Sequence, residues 1–148
     1  MSCKFNEAGM ELSLGMEKKF ELLSNTENLV LFRKDLKLLL AGSGLDEKRM
    51  HDVTLAVDEA LANVIRHGYD TPSGKIEVFF RDFDDRIEIL IRDFGRSFDP
   101  TQMPAPELPP RKPGGLGIYF IRTVMDKVEY CRGIKNANEL LLTKHKVP

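Results

Sequence analysis

Asp58-Glu59-Ala60-Leu61-Ala62-Asn63 lies in the chain's longest helical pattern and decides how the rest is read. Glu59 and Asn63 are four residues apart. On a helix that puts them about 40° apart on one face, one above the other. Val57, Leu61 and Val64 fall on the apolar side. The two polar groups sit instead beside Ala56, Ala60 and Ala62, whose small side chains let a ligand or a strand come close. A carboxylate next to an amide suits an octahedral Mg²⁺ held mainly by phosphates and water, with one side-chain oxygen from the protein. The carboxylate is then free to take a proton. A solvated helix face carrying a chance pair would look the same, so this block needs company.

The flanks define the helix. Asp46 is a good N-cap, and Met50, Val53, Val57, Leu61, Val64 and Ile65 make an apolar stripe running to about His67, where Gly68 ends it. Upstream, Ser24 with Glu27 has capping-box spacing for an earlier helix. Leu29, Val30, Phe32, Leu36, Leu39 and Leu40 follow helical spacing, and Gly42-Ser43-Gly44 stops them. Before that, Met10 to Met16 and Lys19 to Leu23 contain alternating stretches that predict one or two edge strands.

Downstream of a turn at Asp70 to Gly74, two segments alternate. Ile76, Val78 and Phe80 share one face of the first, and Ile87, Ile89 and Ile91 share one face of the second. Asp82 to Asp85 has the length of a hairpin loop. A third helix is predicted over Gly117 to Met125. Two last strands, Val128 to Cys131 and Leu140 to Thr143, flank a polar turn at Asn136.

Asp93-Phe94-Gly95 ends the second alternating segment. A carboxylate there can accept a hydrogen bond from an exocyclic amine such as adenine N6. Gly95 lets the backbone approach a flat base. A plain Asp-x-Gly turn is the simpler account of the same residues. The string also spells the metal-binding motif of eukaryotic-type protein kinases, but the chain has no His-Arg-Asp loop and no glycine-rich loop ahead of it.

Gly114-Gly115-Leu116-Gly117 opens the third helix. Free backbone N–H groups at a helix start make an anion site for phosphates. The Gly-Lys-Ser/Thr ending of a Walker loop is missing, and no first strand precedes it as in a Rossmann fingerprint. Phe94 to Pro113, just upstream, holds Pro100, Pro104, Pro106, Pro109, Pro110 and Pro113. Such a segment cannot form regular structure, and a long loop of this kind is usually functional, often a lid.

Composition limits the alternatives. With 148 residues the chain has the length of one domain, which buries roughly 68–70% of its unfolded surface. A formal net charge of −1 gives no basic field for nucleic acid or a membrane surface. No apolar run approaches the ~18 residues of a membrane span. Lys4, Glu7 and Glu11 leave no room for a signal peptide's apolar region. Cys3 and Cys131 have neither disulfide-framework nor zinc spacing and read as two free thiols in a reducing compartment. A cytoplasmic location follows as the expectation.

Taken together, the three blocks describe one ATP site. The pattern resembles the GHKL, or Bergerat-fold, ATP-binding domain shared by gyrase, heat-shock chaperones, histidine kinases and mismatch-repair ATPases. Glu59 and Asn63 match its N box, Asp93 and Gly95 its first glycine box, and Gly115 and Gly117 its second. Within that superfamily the chain looks most like the bacterial anti-sigma-factor serine/threonine-protein kinases. Leu55 to Ala60 through His67-Gly68-Tyr69, then Phe94 to Pro100, then Gly115 to Asp126 carry the likeness, which covers roughly residues 17 to 145.

The resemblance implies an α/β (α+β) two-layer sandwich as a single domain over residues 1–148. A mixed, mostly antiparallel sheet would carry three helices on one face, with a lid at about residues 94–113. It implies ATP and Mg²⁺ as ligands. Glu59 would be the general base, Asn63 the Mg²⁺ ligand and Asp93 the adenine reader. Gly95 would line the base, and Gly114, Gly115, Leu116 and Gly117 the phosphates, with His67 a further nucleotide contact. Arg111 would reach the γ-phosphate in preference to Lys112, since a guanidinium binds phosphate oxygens as a fork. The implied partner is a STAS-type anti-sigma-factor antagonist. A sigma factor and a homodimer are further expectations, with no direct nucleic-acid or membrane contact. The alternative class is an ATP-binding regulator that sequesters a sigma factor with little turnover. A third is a histidine-kinase-like domain detached from its dimerisation helices. One departure stands out: relatives often carry Gly-Thr just before the last strand, where this chain has Asn138-Glu139.

Overall fold

The computed structural model describes residues 14–97 and 116–147. The expected strand residues Met10 to Ser13, the proline-rich segment from Phe98 onward with Arg111 and Lys112, and Gly114 and Gly115 lie outside the described residues.

Strand β1 (Leu14–Leu23) leads into α1 (Thr26–Ala41) and α2 (Glu47–Asn63). Strands β2 (Lys75–Phe83) and β3 (Arg86–Asp93) follow as a hairpin. Helix α3 (Leu116–Val124), β4 (Lys127–Arg132) and β5 (Asn138–His145) complete the order. The strands form one sheet in the order β1-β2-β3-β5-β4. Its four pairings are all antiparallel among the described residues, in line with the mostly antiparallel sheet expected. The hairpin loop is shorter than Asp82 to Asp85. Pairing continues through Asp82↔Ile87, because the alternating pattern extends to Phe83.

Period-two alternation divides the sheet. Ile76, Val78, Phe80, Ile87, Ile89, Ile91, Leu140 and Leu142 face the helices and are buried. Leu29, Phe32, Leu36 and Leu40 of α1 and Val53, Ala56, Val57, Ala60 and Leu61 of α2 meet them. Each fully buried Leu or Ile contributes roughly 1.5–3 kcal/mol. The opposite face is charged around a small apolar group of Phe79, Leu90 and Leu141. There Glu77 pairs with Lys19 at 2.8 Å and Arg92 at 3.4 Å, and Arg92 pairs with Glu139 at 2.7 Å. Burial pushes the Glu77 carboxyl up, but the hydrogen bonds and charges of Lys19, Lys75 and Arg92 together hold it below the usual carboxylate range.

Helix α1 starts one residue later than the Ser24 capping box implied. Asn25 is the N-cap, its side chain accepting from the Asn28 N–H at 2.9 Å. Ser24 is buried and engaged elsewhere: its hydroxyl donates to the Thr71 carbonyl at 2.6 Å and accepts from the Gly74 N–H at 2.8 Å. That ties the end of β1 to the turn before β2. Asp46 caps α2 as expected, accepting from the Arg49 N–H at 2.8 Å.

At the far end of α3, Lys144 donates to the Val124 carbonyl and to Asp52 Oδ2 on α2, the latter at 3.2 Å. A buried ion pair thus fixes α3 against α2 and β5. Cys131 is disulfide-bonded, which corrects the expectation of two free thiols. Cys3 lies outside the described residues. No helix among the described residues is long and apolar enough to cross a membrane.

Candidate nucleotide site

The regular part of α2 ends at Asn63, and Val64–Gly68 continues as a π-helical turn. The wider turn lets Asn63, Val64, His67 and Gly68 all line one cleft. π-turns recur at functional sites because the extra residue re-aims side chains. The cleft is partly open to solvent. Ala60, Val64, Ile91, Ile121 and Leu140 give it apolar walls, and Asp93, Arg96, Tyr130 and Asn138 supply polar groups.

Asp93 stands at the end of β3 and is 7% exposed. Its Oδ1 accepts from the Gly95 N–H at 2.9 Å and from Asn138 Nδ2 at 3.0 Å. Its Oδ2 has no hydrogen-bond partner among the described residues. Burial raises the Asp93 carboxyl above the ordinary aspartate range, although the Asn138 and Gly95 hydrogen bonds and the charge of Arg132 pull the other way.

The turn after Asp93 is built tightly. Tyr69 donates from its hydroxyl to the Lys75 carbonyl at 2.6 Å and accepts from the Phe94 N–H at 2.7 Å. The Arg96 N–H donates to the Gly68 carbonyl at 2.9 Å. A Cβ on Gly95 would lie 2.2 Å from that same carbonyl oxygen, so only glycine fits. The role expected of Gly95 was contact with a flat base; the contact observed is with the backbone of Gly68.

Glu59 is half-buried and approaches the first turn of α3. A Cβ on Gly117 would lie 2.4 Å from Glu59 Oε2. Glu59 makes no hydrogen bond or ion pair among the described residues. Its neighbour Asp58 is occupied, accepting from Arg33 Nε at 2.9 Å and Nη2 at 2.6 Å. Asn63 Oδ1 accepts a long bond from Arg66 at 3.3 Å.

Among the expected site residues, Asn63, His67 and Asp93 line the one cleft, and Glu59 and Gly117 meet beside it. Leu116 begins α3. Gly114, Gly115 and Arg111 lie outside the described residues. No group of three or more His, Cys, Asp or Glu able to hold a metal occurs among the described residues. A single amide oxygen at Asn63, with Glu59 one turn earlier, is still a donor set that fits Mg²⁺ carried in by phosphates.

Sequence reasoning missed Tyr130, Arg96 and the role of Asn138. Asn138 is buried, and the two N–H groups of its Nδ2 are shared among three acceptors, Asp93 Oδ1 at 3.0 Å and the Gly95 and Arg96 carbonyls, each at 3.1 Å. Its Oδ1 accepts from the Tyr130 hydroxyl and from Arg132 Nη1, both at 3.0 Å. The one available signal was the departure from Gly-Thr before the last strand.

Residues 22–144 match the family model for the histidine kinase-like ATPase domain. The chain belongs to this family, in the branch formed by the RsbW serine-protein kinases. It is 35% identical to the serine-protein kinase RsbW of Bacillus licheniformis, over 69% of this chain and 70% of that one. It is 33% identical to RsbW of Staphylococcus epidermidis, over 74% and 76%. Among solved structures, the RsbU and RsbW domains of a Mycobacterium tuberculosis protein superpose with a TM-score of 0.66 at 19% identity. That match covers 90% of this chain and 33% of the other. The histidine kinase domain of a blue-light activated kinase from Erythrobacter litoralis gives 0.54 at 14% identity, covering 81% and 60%. These two likenesses show the fold, an α/β sandwich of the GHKL type.

Proposed function

We propose that this chain is an ATP-dependent serine/threonine kinase that acts as an anti-sigma factor by phosphorylating a STAS-type antagonist. The observation that carries the reading is Asp93. A buried carboxylate with one oxygen tied down and the other open suits a single amine donor inside an apolar cleft, as adenine N6 provides. Family membership and the similarity to RsbW kinases support the reaction class.

In this reading adenine fills the cleft and the phosphates run toward the first turn of α3. The backbone of Gly117 would meet them there, and Gly114 and Gly115 are the further phosphate contacts that the sequence pattern suggests. Glu59 takes the proton from the incoming serine or threonine hydroxyl. That oxygen bonds to the γ-phosphorus, the bond to the bridging oxygen breaks, and ADP leaves with the electron pair. Most of the rate comes from positioning and charge stabilisation. Asn63 would hold Mg²⁺, which supplies charge neutralisation at the phosphates. Arg111 would contact the γ-phosphate. A cytoplasmic location and a sigma factor as second partner belong to the same proposal.

The test is incubation with γ-labelled ATP and the antagonist proteins encoded in the same genome. Label on serine or threonine is expected. ATP-dependent binding of a sigma factor with no transfer to any antagonist would favour a sequestering regulator instead.

A further inference from the structure

We infer that Asn138 is a positioning residue that sets the base preference of the cleft by fixing Asp93. The inference rests on the reading that Asp93 meets the base, and it adds a residue that this reading does not contain.

Asn138 sits at the first position of β5, directly paired with Asp93 across the β3–β5 ladder. Its amide can face only one way. Nδ2 is surrounded by a carboxylate oxygen and two backbone carbonyls, all acceptors. Oδ1 is met by a hydroxyl and a guanidinium. Rotating the amide by half a turn would set oxygen against three acceptors and nitrogen against the Arg132 cation. So Asn138 can only donate to Asp93, and its donation is aimed at Oδ1.

This has a chemical consequence. With Oδ1 held by Asn138 and the Gly95 N–H, the carboxylate plane is fixed and Oδ2 is the oxygen left for a ligand. The donated bond also favours the ionised carboxylate against the burial that raises its pKa. An ionised, fixed Oδ2 accepts from a purine 6-amine and repels a 6-oxo group. Asn138 therefore acts on selectivity between ATP and GTP through Asp93, its own amide being engaged by Asp93, Gly95, Arg96, Tyr130 and Arg132.

Two variants isosteric with each other test this. Asn138→Thr supplies a hydroxyl that can donate to Asp93; Asn138→Val has the shape of that threonine and no donor. Both lose the contacts to Tyr130 and Arg132 in similar measure, so a merely structural role would affect them alike. Equilibrium binding of ATP, GTP and purine riboside triphosphate, which lacks the 6-amine, is measured for both and for wild type. Asn138→Thr is expected to keep an ATP-over-GTP preference at least about tenfold greater than that of Asn138→Val, with GTP affinities equal within about threefold. The midpoint of the acid loss of ATP affinity should also lie at higher pH in Asn138→Val than in Asn138→Thr. Equal preferences and equal midpoints in the two variants would overturn the inference. If either variant does not fold, wild type and Asn138→Asp decide. A second carboxylate beside Asp93 must then move the acid midpoint upward, and an unmoved midpoint overturns the inference. Wild type binding purine riboside triphosphate as tightly as ATP would instead sink the underlying reading of Asp93.

Discussion

The carboxylate of Glu59 occupies the space that a side chain on Gly117 would need: a Cβ there would stand 2.4 Å from Glu59 Oε2 and 3.6 Å from its Cβ. Helix α2 thus delivers its acid to the first turn of α3 because residue 117 has no side chain. Gly117→Ala meets only the far end of a flexible side chain, so it should cost little stability. It should, however, push the carboxylate aside. Phosphoryl transfer is expected to fall by roughly tenfold or more, since small misplacements of a reacting group are costly, while the melting temperature barely moves. Gly95→Ala is the contrast. There the obstacle is the Gly68 carbonyl at 2.2 Å, which is backbone. Forcing it apart should destabilise by about 1–3 kcal/mol, read as a lowered denaturation midpoint.

Glu59→Gln separates base from scaffold. The amide keeps the shape and cannot take the hydroxyl proton. ATP affinity should stay within a few-fold of wild type and transfer should drop by roughly 10²–10⁴. Normal transfer by this variant, measured under single-turnover conditions, would remove Glu59 from the mechanism.

The raised pKa of Asp93 gives a pH test with a definite sign. Its folded pKa lies above its unfolded value. Its contribution to stability is therefore fully present below the unfolded pKa and is lost as pH rises through the folded one. Asp93→Asn removes a desolvated charge while keeping an acceptor for Gly95 and Asn138. This variant should match or exceed wild-type stability at pH 8, with the difference shrinking as the buffer is made acidic. ATP binding goes the other way. It needs the ionised carboxylate, so wild-type affinity should weaken as pH falls through the raised value, and Asp93→Asn should show no such step. A flat wild-type profile in calorimetric titrations would contradict this.

The outer face of the sheet supplies a control far from the cleft. Glu77 is 6% exposed and neutralises both Lys19 and Arg92. Its folded pKa is lowered, so its stabilisation is present above the unfolded pKa and lost as pH falls through the folded one. Glu77→Ala should cost about 1–3 kcal/mol at neutral pH and leave ATP affinity unchanged. Loss of ATP binding in a folded Glu77→Ala variant would show that the two faces are coupled.

The parts of this fold with strong periodicity were legible in the sequence. Ile76, Val78 and Phe80 against Ile87, Ile89 and Ile91 mark two strands with one buried face each, and helical spacing marks α1 and α2. Where a choice depended on tertiary contact, the sequence was silent. Ser24 and Asn25 are both good caps, and only the hydrogen bonds of Ser24 to Thr71 and Gly74 decide between them. The π-turn at Val64–Gly68 left no local signature beyond Gly68. Asn138 reads as an ordinary polar residue at a strand start because its key partner, Asp93, is 45 residues away. The cleft residues with motif spacing were found; those brought in by β4 and β5 could not be.

Intact-mass measurement of the antagonist protein after one turnover tests the central claim most directly. Wild-type enzyme with Mg²⁺ and ATP should add one phosphoryl group, mapped to serine or threonine, and Glu59→Gln should add almost none while still binding ATP. An antagonist that stays unmodified with wild type, or carries its phosphate on histidine, would contradict the account.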